Sequence, residues 1–228
     1  MPAPERARDP FMDKPSRPRA TYADLREVPD HLVAEILDGE VFASPRPASP
    51  HGHAQSSILI DLGAGFRGPG RGGIGPGGWW LLVEPELHLG DDVLVPDVAG
   101  WRCERMPALP NVAAFTLAPD WICEVVSPST GRIDRAKKLP IYAREQVRHL
   151  WLVDPLAHTL ESYRLEGSRW LLLATFSDDD VVRAEPFDAV ELSLAPWWLL
   201  RPPKSIPTNR SVLSSRMRRA GPMTNRSG

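Results

Sequence analysis

Apolar and polar residues fall in short blocks along this chain, and the period of the blocks changes several times. Thr21-Tyr22-Ala23-Asp24-Leu25 places a capping hydroxyl ahead of a helical turn, predicting a short helix to about Val28. Residues 31–43 (HLVAEILDGEVFA) read as two short strands joined at Asp38-Gly39, a strong hairpin signal. SPRPASP (44–50) is a rigid, non-helical connection. From His51 to about Phe66 apolar residues recur at Ile58, Leu59 and Leu62, which predicts a helix ending at Gly65. Gly68 to Gly78 (GPGRGGIGPGG) is a flexible turn region; it lacks the GKS/T ending of a phosphate-cradling loop and is assigned no such role.

Three strands are predicted next, at 79–89, 93–101 and 120–127, with a proline-punctuated loop at 104–119 between the last two. Ser127-Pro128-Ser129-Thr130-Gly131 ends the third strand and leads into a helix from about 132 to 146. A strand at 149–153 stops at Asp154-Pro155, 158–165 and 169–176 form a hairpin across Glu166-Gly167, and an edge segment at 187–194 ends near Trp197-Trp198. There is no internal repeat. Strands and helices in this order predict an α+β fold with a mixed sheet, not the regular alternation of a doubly wound one.

At 228 residues and 42% hydrophobic, the chain holds enough apolar surface for one core, so one domain is expected. A disordered segment is expected at 1–20, the folded domain at 21–200 and a basic disordered tail at 201–228. The net charge of −2 conceals an asymmetry: residues 1–20 carry five basic and three acidic side chains, 201–228 seven basic and none acidic, and 21–200 the remaining 15 basic and 26 acidic. A core at −11 is a poor match for tight non-specific binding to nucleic acid and suits a site that needs cations. Cys103 and Cys123 lie outside any CxxC pattern, and neither an 18-residue apolar stretch nor an apolar signal core is present. A cytoplasmic protein without membrane contact is expected.

Two carboxylates stand out against this pattern. Asp97 lies in Val93-Leu94-Val95-Pro96-Asp97-Val98-Ala99 and Glu124 in Trp121-Ile122-Cys123-Glu124-Val125-Val126, both runs that read as buried strands. A buried charge costs several kcal/mol unless it is paired or binds a metal. Two such groups on separate strands suggest oxygen ligands for a hard divalent cation; pairing with arginine or capping of a turn is the alternative. In the following helix Asp134, Lys138 and Tyr142 are spaced four apart and share a stripe, from which Lys138 could reach the carboxylates. Taken alone, Asp134–Lys138 reads as an exposed helix pair worth about 0.3–0.5 kcal/mol.

Other residues read more plainly. His51 and His53 lack a third ligand at a useful spacing and are given a polar role at the helix start. His88 and His149 are ordinary strand histidines, and Glu84 and Glu86 are expected to share a solvated face. Ser127 and Ser129 have no nucleophile elbow around them and are read as a turn and cap. The eight tryptophans are assigned to the core. Apolar residues near 187–198, including Trp197-Trp198, suggest a homodimer edge.

Pro96-Asp97, Glu124-Val125-Val126-Ser127-Pro128-Ser129-Thr130, Asp134-Arg135 with Lys138 and Tyr142, and Trp151-Leu152-Val153-Asp154-Pro155 occur in order. With Glu35-Ile36-Leu37-Asp38-Gly39-Glu40 and His51 upstream, the chain over roughly 21–195 resembles the Uma family of putative restriction endonucleases, a branch of the PD-(D/E)xK phosphodiesterase superfamily. The resemblance implies a restriction-endonuclease-like mixed sheet flanked by helices, and a Mg²⁺-dependent nuclease, with Mn²⁺ as a substitute, acting on DNA without a nucleotide cofactor. Asp97 and Glu124 would be the metal ligands, Lys138 the catalytic lysine and Glu35 an additional acid. The superfamily's usual lysine position, two after the second acid, is Val126 here, so the role passes to Lys138; Lys137 lies about 100° round the helix. Pro140 and Glu145-Gln146 depart from the family pattern, and the tail after 200 has no counterpart. Pro140 would bend the helix and displace Lys138, and with the acidic core it supports the alternative of a catalytically inactive nuclease-fold binding or protein-interaction module.

Overall fold

The computed structural model describes residues 18–70 and 75–199. The segment 1–17, the four residues at 71–74 and the tail from 200 lie outside the described residues, and with them most of the expected disordered segment, part of the glycine loop and the basic tail.

A single helical turn, α1 (Tyr22–Leu25), opens the described chain; Asp24 accepts from the Thr21 N–H at 2.6 Å, which caps it. Strands β1 (Leu32–Leu37) and β2 (Glu40–Pro45) form the antiparallel hairpin, turned by Asp38 and Gly39 at φ 53° and 82°. That left-handed turn is why an Asp-Gly pair stands there. Helix α2 (Ser49–Phe66) carries Pro50 in its first turn and buries Ala54, Ile58, Leu62 and Phe66, one per turn.

Beyond it the observed strands are shorter than the apolar runs. The predicted strand 79–89 is two, β3 (Trp79–Val83) and β4 (Glu86–Leu89), broken at Glu84-Pro85 where Glu84 takes φ 46°. The predicted strand 93–101 is also two, β5 (Asp92–Leu94) and β6 (Val98–Arg102), broken at Pro96-Asp97. Each proline removes a ladder donor, and the chain changes sheets at both places. Within the expected loop lies the two-residue strand β7 (Ala114–Phe115), followed by β8 (Trp121–Val125). The predicted helix 132–146 is three pieces: α3 (Gly131–Ile133), a π-helical segment (Asp134–Lys138) and α4 (Leu139–Arg144). Strands β9 (His149–Asp154), β10 (Thr159–Glu166) and β11 (Arg169–Ser177) follow as a meander. The expected edge segment 187–194 shrinks to β13 (Leu192–Ser193), paired with β12 (Val181–Val182), before a 3₁₀ turn at Ala195–Trp197.

Of the three sheets among the described residues, β12-β13 is the smallest; one of the larger two has the order β2-β1-β5-β4-β7 and the second β11-β10-β9-β8-β6-β3, with β8 and β9 parallel and the remaining pairs of that second sheet antiparallel. The architecture is α+β with mixed sheets. Alternation along β8 explains the layering. Trp121, Cys123 and Val125 pack on one face with Ala54, Ile58 and Leu62 of α2, whereas Ile122 and Val126 pack on the other with Ile141 and Tyr142 of α4 and Leu87 and Leu94 of the first sheet. Trp197 and Trp198 are buried in the α2-side core, so they are not the dimer edge the sequence suggested; the chain folds back over its own sheet and covers them. Both cysteines are free. No helix among the described residues is long and apolar enough to cross a membrane.

Candidate active site

The two sheet changes build the site. At Pro96 the chain re-enters the six-stranded sheet, which puts Asp97 at the mouth of β6 rather than inside a strand as the apolar run suggested. There its Oδ2 accepts the Val125 N–H of β8 at 2.7 Å, and its backbone carbonyl accepts from Gln55 Nε2 at 2.9 Å and the Glu84 N–H at 3.1 Å. The other carboxylate oxygen lies 3.2 Å from His51 Nε2 of α2. Glu124 projects from β8 toward α4, where the Tyr142 hydroxyl donates to its Oε1 at 2.6 Å. Glu35 on β1 accepts the Val95 N–H at 2.8 Å, so the five-stranded sheet fixes it from the opposite side.

Lys138 joins these groups. Its Nζ stands 3.0 Å from Glu35, 3.4 Å from Glu124 and 3.7 Å from Asp134, and the side chain is buried. The Asp134–Lys138 pair is therefore not the exposed helix pair that spacing alone allowed. Pro140, expected to displace the lysine, does not: the π segment ends two residues before it, and the Leu139 N–H reaches back five residues to the Asp134 carbonyl. A widened turn accommodates a residue without an N–H, so Lys138 keeps its place on the buried stripe. Lys137 points elsewhere, 3.8 Å from Asp38. Gln146 adopts φ 59° where the family pattern has glycine, and its side-chain amide ties the turn to the Ala143 carbonyl at 3.0 Å.

Glu35, Asp97, Glu124, Asp134, Lys138 and His51 all line one open cavity of about 300 Å³, with Ser127 to Thr130 forming a neutral wall. Ser127 Oγ lies 2.9 Å from both the Ser129 and Thr130 hydroxyls, a hydroxyl-bonded turn as expected. With Glu84, five carboxylates thus line a cavity whose cations are the Lys138 ammonium and the Arg46 guanidinium. Burial pushes the Glu124 carboxyl well above its ordinary range, against the pull of Lys138, and Asp134 rises to about 6 for the same reason. Burial alone would lower the Lys138 pKa; Glu124, Glu35 and Asp134 together outweigh it and hold the ammonium charged well above its ordinary value.

This surplus of negative charge is the test of fit for a divalent cation. Asp97 and Glu124 supply hard oxygen donors beside the cavity, and protonation is what the cluster falls back on without a cation. Among the described residues no three acidic, histidine or cysteine side chains form a ready-made cage. Two carboxylates completed by water and substrate oxygens is the usual way of holding Mg²⁺, so the donor set fits that ion.

Of three further residues at the site, the sequence had given His51 only a polar role at the helix start and a place in the family resemblance, had put Glu84 on a solvated face, and had not singled out Gln55. His51, buried with its Nδ1 unpartnered, contacts Asp97, whereas His53 turns away to the Pro196 carbonyl at 2.9 Å. Gln55 holds the Asp97 backbone. Glu84, expected on a solvated face with Glu86, lines the cavity 4.0 Å from Arg46, while Glu86 accepts from the Tyr22 hydroxyl at 3.0 Å. The usable signal was the spacing 51, 55, 58, 62, which continues the buried stripe of α2 into polar residues.

The Uma2 family, described as "Putative restriction endonuclease", matches residues 20–195. A solved structure of similar fold comes from Anabaena variabilis ATCC 29413 and is described as a putative nuclease belonging to DUF820; it covers 79% of this chain and 99% of its own, with a TM-score of 0.62 and 24% identity. That likeness shows the fold alone. No curated protein matches the chain.

Proposed function

The chain belongs to the Uma2 family, and from that premise we propose that it is a metal-dependent nuclease hydrolysing DNA phosphodiester bonds in the cavity between its sheets. The observation that carries this reading is a buried ammonium, Lys138, set among carboxylates that outnumber it in a cavity open to solvent. A purely structural ion pair needs neither the surplus charge nor the opening.

Asp97 and Glu124 would hold a Mg²⁺ ion, which when bound supplies Lewis-acid polarisation of the phosphate and a more acidic water. The protein's part is positioning and charge. Lys138, held protonated by its three carboxylates, presents a fixed positive charge where negative charge builds on the scissile phosphate. Glu35 and Asp134 keep that ammonium in place, and Glu35 is near enough to it to share a role in orienting the attacking water. Tyr142 and the Val125 N–H fix one oxygen each of Glu124 and Asp97; the other Glu124 oxygen is left for a cation, and the other Asp97 oxygen faces the cavity beside His51.

The test is cleavage of supercoiled plasmid, linear duplex and RNA with Mg²⁺, Mn²⁺ or EDTA, using wild type and Asp97→Asn. Nicking or linearisation of DNA that needs the cation and disappears in Asp97→Asn supports the reading. Cleavage that survives EDTA or the substitution overturns it. Intact DNA under every condition, with a folded protein, favours a nuclease-fold binding module.

A further inference from the structure

Strand β11 (Arg169–Ser177), nine residues long, is the outer strand of the six-stranded sheet and pairs on one side with β10. No strand among the described residues pairs with its other side. The other edges of the two larger sheets are shorter or interrupted. The five-residue β3 is bridged at Trp79 by Arg67 and Gly68, β2 carries Glu40 and Pro45, and β7 has two residues. β11 reads RWLLLATFS, without proline and without a charge after Arg169, and Leu171 and Leu172 are 42% and 48% exposed. A long apolar edge of this kind is a template for another strand.

Its two ends carry opposite charge. Arg169 at the start is exposed and has no ion pair among the described residues, while the exposed Asp178-Asp179-Asp180 follows the last residue. Antiparallel pairing about a two-fold axis sets the arginine end of each copy against the aspartate end of the other, so the strand is complementary to itself in charge as well as in hydrophobicity. The segment from residue 200 onward fits the edge less well: it has seven basic residues, no acidic ones and prolines at 202, 203, 207 and 222, whereas the edge between its ends is uncharged.

We propose that β11 pairs antiparallel with β11 of a second copy, making one sheet continuous across a homodimer. On the nuclease reading, the two cavities are then related by a two-fold axis, as are the strands of a duplex; the pairing itself does not depend on that reading.

Sedimentation or light scattering of the full chain tests this. The wild type is expected at twice the 25.3 kDa chain mass, and Leu172→Lys at the chain mass itself. Charge reversal at exposed positions gives a second arm that spares the fold. Arg169→Asp and Asp179→Arg should each weaken the dimer by roughly tenfold, and the double variant should restore it. A monomeric wild type at high micromolar concentration overturns the proposal, whether because the segment after 200 covers the edge or because nothing does. So does a dimer indifferent to all three substitutions. Loss of the dimer in the double variant as well would show that the two ends do not meet.

Discussion

Replacing Lys138 with methionine keeps the length of the side chain and removes only its charge. In the structure the ammonium lies 3.0, 3.4 and 3.7 Å from three carboxylates, all buried. A unit pair at such distances is worth about 5 kcal/mol at an effective dielectric of 20, and desolvation offsets part of it. Breaking a buried pair from one side typically costs about 3–5 kcal/mol, because the partner charges remain. For a chain of this size that corresponds to a fall in Tm of roughly 6–20 °C without metal. The same change leaves one more net negative charge beside Asp97 and Glu124, so divalent cations should bind Lys138→Met more tightly and restore more of its stability than they add to wild type. DNA cleavage should nonetheless be lost, since the charge facing the phosphate is gone. Thermal melts with and without Mn²⁺ measure both effects. A metal-free variant within about 1 kcal/mol of wild type, or one that cations stabilise less than wild type, would mean that the Lys138 ammonium is not what holds these carboxylates together.

Three further outcomes follow from the same geometry. Asp134 has its folded-state pKa raised from 3.8 to about 6, so the folded state holds a proton the unfolded chain gives up. Its contribution is complete below pH 3.8 and is lost as pH rises through 6, up to about 3 kcal/mol; Asp134→Asn should flatten that part of the metal-free stability profile, and an unchanged slope would contradict the assignment. Tyr142→Phe removes a 2.6 Å bond to Glu124 in the core and should cost about 1.5–3 kcal/mol by urea denaturation, more than the loss of an exposed hydroxyl. His51→Gln should lower cleavage with little change in melting temperature and a weaker cation affinity, whereas His53→Gln, directed at Pro196, should leave both unaltered.

Much of this was readable before the fold was known, and the failures have physical causes. Asp38-Gly39 announces its hairpin because a left-handed turn needs those residues; the second hairpin was found one residue early, since Glu166 still pairs with Arg169 and the turn is Gly167-Ser168, with Gly167 left-handed; and Glu124 stands out because a carboxylate in an apolar strand demands an explanation. The runs 79–89 and 93–101 looked continuous because both sheets bury apolar residues; hydrophobicity does not record that the chain changes sheet, although Pro85 and Pro96 mark the places. Pro140 looked like a defect because a proline was weighed against α-helical hydrogen bonding, and the π segment beside it has no sequence signature of its own. Trp197-Trp198 looked like an edge because a bulky apolar pair near the end of a fold is ambiguous between covering a neighbour and covering its own sheet. His51 was read as a helix-start residue and its contact with the site was missed, because its partner, Asp97, is 46 residues away and is brought to it only by the break at Pro96.

Whether this carboxylate cluster is a cation site in use is decided by calorimetric titration of Mn²⁺ into wild type, with Asp97→Asn as the comparison. Saturable binding is expected in the wild type, weakening by roughly tenfold or more in Asp97→Asn while the melting temperature without metal stays close to that of the wild type. Absence of saturable binding in the wild type, or equal binding by the two proteins, would mean that the cluster does not serve as one.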